Sequence, residues 1–272
     1  LRHMLVMTGT STIGLLAVFG ADLINIFFLS LLDAVEPPSA VGYASAITFF
    51  TISVCIGLSI AASALVAQAL GAGGAARARR YVVNVGALTL LITVPLSLAV
   101  TLGGPVLLRL LGAEGRTFEL ALGYLNILVP STPLLALALV AGGVLRALGD
   151  ARRGMYATLF GAVVNAALDP LLIFVLDMGV NGAAVAAVFS RVAMLAYGGY
   201  VVIRGHRLIG RFQRERFAAD LRPMLAIALP AIFTNIATPI GQAYVTGAMA
   251  RFGDEAVAGL AVISRLVPVA FA

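Results

Sequence analysis

The sequence predicts an all-α polytopic membrane protein, and three observations carry that prediction. Of its 272 residues, 61% are hydrophobic and 11% charged, whereas a soluble domain is about 45–50% apolar and about 25% charged. Such a chain cannot cover a water-exposed surface. Its apolar residues fall into seven long runs and the start of an eighth, on the scale of the roughly 20 residues that cross a bilayer. Its arginines collect in alternate links between those runs. The net charge of +6 would suggest a nucleic-acid partner on a soluble fold. Here it marks one face of a membrane, and no nucleic acid is expected.

The first run covers residues 4–32 and is broken only by Asp22 and Asn25; the turn-like Asp33-Ala34-Val35-Glu36-Pro37-Pro38 follows. The second, residues 41–70, ends at Gly71-Ala72-Gly73-Gly74 and the cluster Arg77, Arg79, Arg80. The third takes residues 81–103, and residues 105–119 read as a short interfacial connection. The fourth, residues 120–145, closes on Arg146-Ala147-Leu148-Gly149-Asp150-Ala151-Arg152-Arg153. The fifth is 154–176 and the sixth 182–203, joined by a very short link through Asp177. Residues 204–222 are the most polar stretch, the seventh run is 223–250, and the eighth starts at 257. Sixteen residues from there to Ala272 would span only about 24 Å of a core about 30 Å thick. The chain is therefore expected to be a fragment of a longer polytopic protein, with its first run kept as a span rather than cleaved.

Thirteen arginines fall at the amino terminus or in links on its side, three fall on the opposite side, and Arg191 and Arg265 lie within apolar runs. That bias over short loops places the amino terminus in the cytoplasm. A weak internal echo, Ala250 to Ala261 against Ala40 to Ala44, fits a repeat related by an axis along the membrane normal.

Four ionisable residues lie inside apolar runs: Asp22, Asp169, Arg191 and Arg265. Burying a charge in lipid costs several kcal/mol unless it is paired or hydrated, so each needs a reason. Counting about 1.5 Å per residue from the cytoplasmic face puts Asp22 about 27 Å and Asp169 about 23 Å deep, at a similar level in the outer half. Asn165 precedes Asp169 by four residues and shares its helix face. Pro170 has no amide hydrogen for the carbonyl of Ala166, which leaves another oxygen free near the acid. Carboxylate, amide and carbonyl at one depth make an oxygen-rich site suited to a proton or a small hard cation such as sodium. The two arginines fit snorkelling or local structural pairing better.

The remaining features carry less. Gly71 to Gly74 lacks the preceding strand and following lysine of a phosphate loop and reads as a helix terminator. His3 and His206 read as solvated, and the lone Cys55 as a small packing residue that excludes a disulfide framework. No Ser/His/Asp set or zinc spacing is present, so neither an enzyme nor a cofactor is expected.

The segments Gly143-Val144-Leu145-Arg146-Ala147-Leu148-Gly149-Asp150, Asn165-Ala166-Ala167-Leu168-Asp169-Pro170 and Gly179-Val180-Asn181-Gly182-Ala183-Ala184 resemble a block of the multidrug and toxic compound extrusion (MATE) transporters. In that family an Arg-x-x-Gly-Asp turn leads to Asn-x-x-x-Asp-Pro and then Gly-x-x-Gly-Ala-Ala. Gln68-x-x-Gly71-Ala72-Gly73 resembles the end of the family's second helix, and Asp22 with Phe27-Phe28-Leu29-Ser30 its first-helix acidic motif.

The resemblance implies twelve helices in two six-helix bundles. Residues 1–203 would form the amino-terminal bundle, 204–222 a cytoplasmic linker and 223–272 the start of the second bundle. It implies a monomeric, cation-coupled antiporter in the cell membrane that exports small amphipathic or cationic compounds by alternating access. Asp22, Asn165 and Asp169 would form the coupling-ion site; Arg146, Asp150, Pro170, Arg191 and Arg265 would be structural or gating residues. Many members carry threonine at the position of Ala187, so one hydroxyl ligand is missing and the balance tilts from sodium towards a proton. Two alternatives stay open. One is a flippase of lipid-linked oligosaccharides, which would favour an arginine-rich cavity; the other is a scaffold that transports nothing.

Overall fold

The computed structural model describes residues 20, 24, 25, 27, 28, 36–206, 208, 210 and 212–271, with side chains through residue 264. Asp22, His3 and the Arg265 side chain lie outside the described residues. All regular structure among the described residues is helical, and six helices there are long and apolar enough to cross a membrane.

Helix α1, Glu36–Gly71, starts five residues before its apolar run. Pro37 and Pro38 sit in its first turn, where a missing amide hydrogen costs nothing because those donors have no helical partner. Helix α2, Ala75–Leu110, continues through Pro95 and Pro105. Residues 105–110 of the expected interfacial connection therefore belong to this membrane helix, residues 115–119 start the next one, and only residues 111–114 form the link. Helix α3, Gly115–Leu128, passes through a 3-10 turn, Val129–Ser131, into α4, Thr132–Ala147. Pro130 and Pro133, three residues apart, each lack an amide hydrogen, and the regular helix breaks there. Helix α5, Ala151–Pro170, runs into a π turn, Leu171–Val175; α6, Gly179–Tyr200, does the same at Val201–Gly205.

The sequence boundary fails most clearly at the next helix. Helix α7, Arg214–Met249, begins nine residues before the expected start at Pro223 and takes in the last nine residues of the arginine-rich segment. A 3-10 turn, Ala250–Phe252, leads to α8, Asp254–Phe271.

Three links share one stop signal. Gly73, Gly112 and Gly149 adopt positive φ, and the next residue's amide reaches back five positions, as from Asp150 to the Leu145 carbonyl at 2.9 Å. Only glycine adopts that backbone without strain, so each of these glycines ends a helix and turns the chain.

Helix α1 is the hub, packed against α2, α3, α4, α7 and α8. Two apolar clusters flank it. One gathers Leu58, Leu65, Val85, Val144, Leu145 and Met224; the other gathers Tyr43, Leu108, Leu125, Val180, Ala183 and Val257. Polar contacts close the two ends. Asp150 meets His206 and Arg80 meets Asp220 at one end; Tyr43 reaches Gly112 and Thr117 reaches Asp254 at the other. Successive spans thus run up and down.

Candidate functional site

Asp169 is fully buried near the end of α5. Eighteen residues from Ala151 put it about 27 Å along the helix, in the half opposite the arginine-rich links. The Asn165 amide donates to its Oδ2 at 3.0 Å, the i, i+4 contact that the spacing predicts. A second amide, from Asn25 of the first run, donates to the same oxygen at 3.0 Å. The carboxylate thereby ties the first run to α5. Phe28 stacks edge-on against Phe174 of the π turn at 5.9 Å, so an apolar contact accompanies the polar one.

The local sequence explains the geometry. Pro170 cannot donate to the preceding turn, and the chain relaxes at once into the wider π turn. Helix α6 then approaches that turn closely. A Cβ on Gly182 would lie 2.7 Å from the Leu172 carbonyl carbon and oxygen, so only glycine fits. Ala183, Ala184 and Ala186 follow, all fully buried. The Gly-x-x-Gly-Ala-Ala block is the surface on which the Asp169 turn rests.

Of the other residues singled out in the sequence, Arg146 donates to the Ser59 hydroxyl at 3.0 Å and joins α4 to α1. Asp150 caps α5 by accepting from the Arg153 amide at 3.3 Å. It also meets His206 Nε2 at 2.8 Å, so His206 is not the freely solvated residue expected. Arg191 is 8% exposed and donates to the Leu128 carbonyl at 2.9 Å and the Ser131 hydroxyl at 2.8 Å. It occupies the proline break between α3 and α4, where the negative end of the α3 dipole favours a cation. That is a structural task, not snorkelling. Arg146, Asp150 and Arg191 do not join Asp169, and Asp22 lies outside the described residues.

Two residues escaped the sequence reading. Asn25 stood out only as a break in the first run, although it follows Asp22 by three positions. Asp220 was assigned to a linker, yet it is 4% exposed and takes Arg80 Nη2 at 2.9 Å and Asn84 Nδ2 at 2.8 Å. The i, i+4 pair Arg80 and Asn84 was the available signal. A small pocket also lies between α1, α7 and α8, lined by Ser45, Phe49, Gln242, Thr246 and Ser264.

Apolar spans of membrane length, with a fully buried carboxylate joining two of their segments, define a polytopic helical membrane protein. The MatE family model matches residues 11–171, and the chain belongs to that family, the MATE transporters. It is similar to the FAD transporter of Shewanella oneidensis, with 30% identity over 271 residues covering 97% of this chain and 60% of that protein. The probable multidrug resistance protein YoeA of Bacillus subtilis is 27% identical over 85% of this chain and 52% of its own length. The chain thus spans between half and two thirds of these relatives. Among solved structures, the Vibrio cholerae MATE transporter VcmN matches 97% of this chain and 60% of its own, with TM-score 0.85 and 27% identity.

Proposed function

We propose that this chain forms the ion-coupling part of a cation-driven antiporter that exports small amphipathic or cationic compounds from the cell. One observation carries the reading: Asp169, fully buried, holds Asn25 of the first run and Asn165 of α5 on one carboxylate oxygen. A carboxylate shared in this way makes the packing of the first run depend on its charge. Binding of a proton or cation from outside at Asp22 and Asp169 neutralises the site, repacks the first run and displaces cargo. Release of the ion inside restores the site. One feature supports a proton over sodium: Ala187 offers no hydroxyl ligand. The protein sits in the cell membrane with its amino terminus in the cytoplasm, as the arginine bias supports.

Small amphipathic or cationic compounds are the first cargo to test, since the probable multidrug resistance protein YoeA matches 85% of the chain. A flavin dinucleotide is the second cargo to test, because a relative matching 97% of the chain is a FAD transporter. A flippase of lipid-linked oligosaccharides is less well supported. Arg191, one of its two candidate arginines, is committed to Leu128 and Ser131.

The test is a flux assay on the full-length protein in liposomes, with proton and sodium gradients imposed separately. Asp169→Asn is expected to abolish coupled efflux while protein still reaches the membrane. Undiminished efflux would sink the assignment, and absence of any flux in the parent protein, with no phenotype from the Asp22→Asn, Asp169→Asn double variant, would favour the scaffold.

A further inference from the structure

Helices α7 and α8 meet α1, α2 and α3 along a contact that is apolar in the middle and pinned by an aspartate at each end. In the middle, Gly57 of α1 faces Ile232 of α7 so closely that a Cβ on Gly57 would lie 2.7 Å from the Ile232 backbone nitrogen. Helix α7 is weakened on both sides of this point, because Pro230 and Pro239 lie inside it and each removes a backbone hydrogen bond. A close backbone contact beside two prolines is a place where one helix can pivot on another.

The ends are chemically different. At the arginine-rich end, Asp220 of α7 is held by Arg80 Nε at 2.8 Å, Arg80 Nη2 at 2.9 Å and Asn84 Nδ2 at 2.8 Å, all from α2. At the opposite end, Asp254 of α8 accepts from the Thr117 hydroxyl of α3 through Oδ2 at 2.6 Å. Its backbone carbonyl accepts from the Ser39 hydroxyl of α1 at 2.7 Å. Thr117 and Ser39 are themselves buried. Asp220 lies twelve residues from Ile232, about 18 Å along the helix, and Asp254 lies past the helix's far end, so each pin acts at a lever arm from the pivot.

We infer that Asp220 with Arg80 and Asn84 is an inner latch, that Asp254 with Thr117 and Ser39 is an outer latch, and that rocking about Gly57 and Ile232 releases them in turn. The inference rests on the alternating-access reading above. It adds named residues that determine which side opens and that touch neither ion nor cargo. The inner latch pairs two opposite charges with Asp220 buried, and the outer one uses neutral donors, so the inner side resists opening more strongly.

The test uses the full-length protein in nanodiscs, with Cys55→Ser and every other native cysteine replaced. Spin labels at positions 77 and 216 report the inner end, and labels at 119 and 255 the outer end. Asp220→Asn, and independently Arg80→Gln, should add a longer component to the inner distance distribution and leave the outer one unchanged. Thr117→Val should do the reverse. The exchange Arg80→Asp with Asp220→Arg should return the inner pair towards its original distance. The inference is overturned if both distributions stay as in the parent, or if variants at opposite ends move the same pair. The readout is a distance, so it holds even if Asp169→Asn leaves flux intact, and failure of the latches leaves the Asp169 assignment untouched.

Discussion

At the scale of single residues, Asp169 and Arg191 show how differently the bilayer interior uses two charges. Asp169 joins segments 144 residues apart through Asn25, whereas Arg191 spends its hydrogen bonds on a proline break. The break can be used to measure that charge. Ser131 accepts from Arg191 at 2.8 Å, while Ser97 donates to the Val129 carbonyl at 2.8 Å in the same break with no charge involved. A neutral hydrogen bond contributes about 1 kcal/mol and one to a charged group about 1.5–3. Ser131→Ala is therefore expected to lose more thermal stability in detergent than Ser97→Ala, with ion coupling kept in both. Equal losses would show that the guanidinium does not depend on Ser131. The pair Asn165 and Asp169 was legible in the sequence because four residues make about one helical turn. Asn25 was not, since no local pattern reveals a partner on another span.

At the scale of elements, the apolar runs gave away the spans because lipid forces every backbone group into a helix. Their ends were harder to read. Helix α7 extends from Arg214 through polar sequence, and an average of hydropathy cannot see a helix that continues into water. That error hid Asp220. The Gly-x-x-Gly-Ala-Ala block, by contrast, has a physical reason at its second glycine. Gly182 admits the Leu172 carbonyl, whereas a methyl group on Gly199, in the same helix, would meet nothing within 4 Å. Gly182→Ala is expected to cost about 1–3 kcal/mol through overpacking against a carbonyl that cannot yield. It should also reduce coupled efflux by displacing the Asp169 turn. Gly199→Ala should be neutral or stabilising by up to about 1 kcal/mol, as alanine is in a helix interior. Melting curves and flux for the two variants check this, and similar behaviour would remove Gly182 from the support of the site.

At the scale of the whole molecule, the charge pattern and the packing agree on which residues share an end. The links rich in arginine meet one another through Asp150 with His206 and Asp220 with Arg80. The links holding Thr117 and Asp254 meet at the other end. Such a bundle can insert in two orientations, and packing alone does not choose between them. On the orientation proposed above the arginines do, by thirteen to three, with each basic residue near an anionic surface favouring its side by about 1 kcal/mol. Cysteines introduced at positions 77, 152 and 214 should react only with reagent on the cytoplasmic side, and cysteines at 116 and 251 only from outside. Removing Arg77, Arg79 and Arg80 together still leaves ten against three, so that variant should keep the same labelling pattern. Reversed labelling of the parent would overturn the orientation and place Asp169 in the inner half of the membrane. The proposed coupling ion would then have to enter from the cytoplasm.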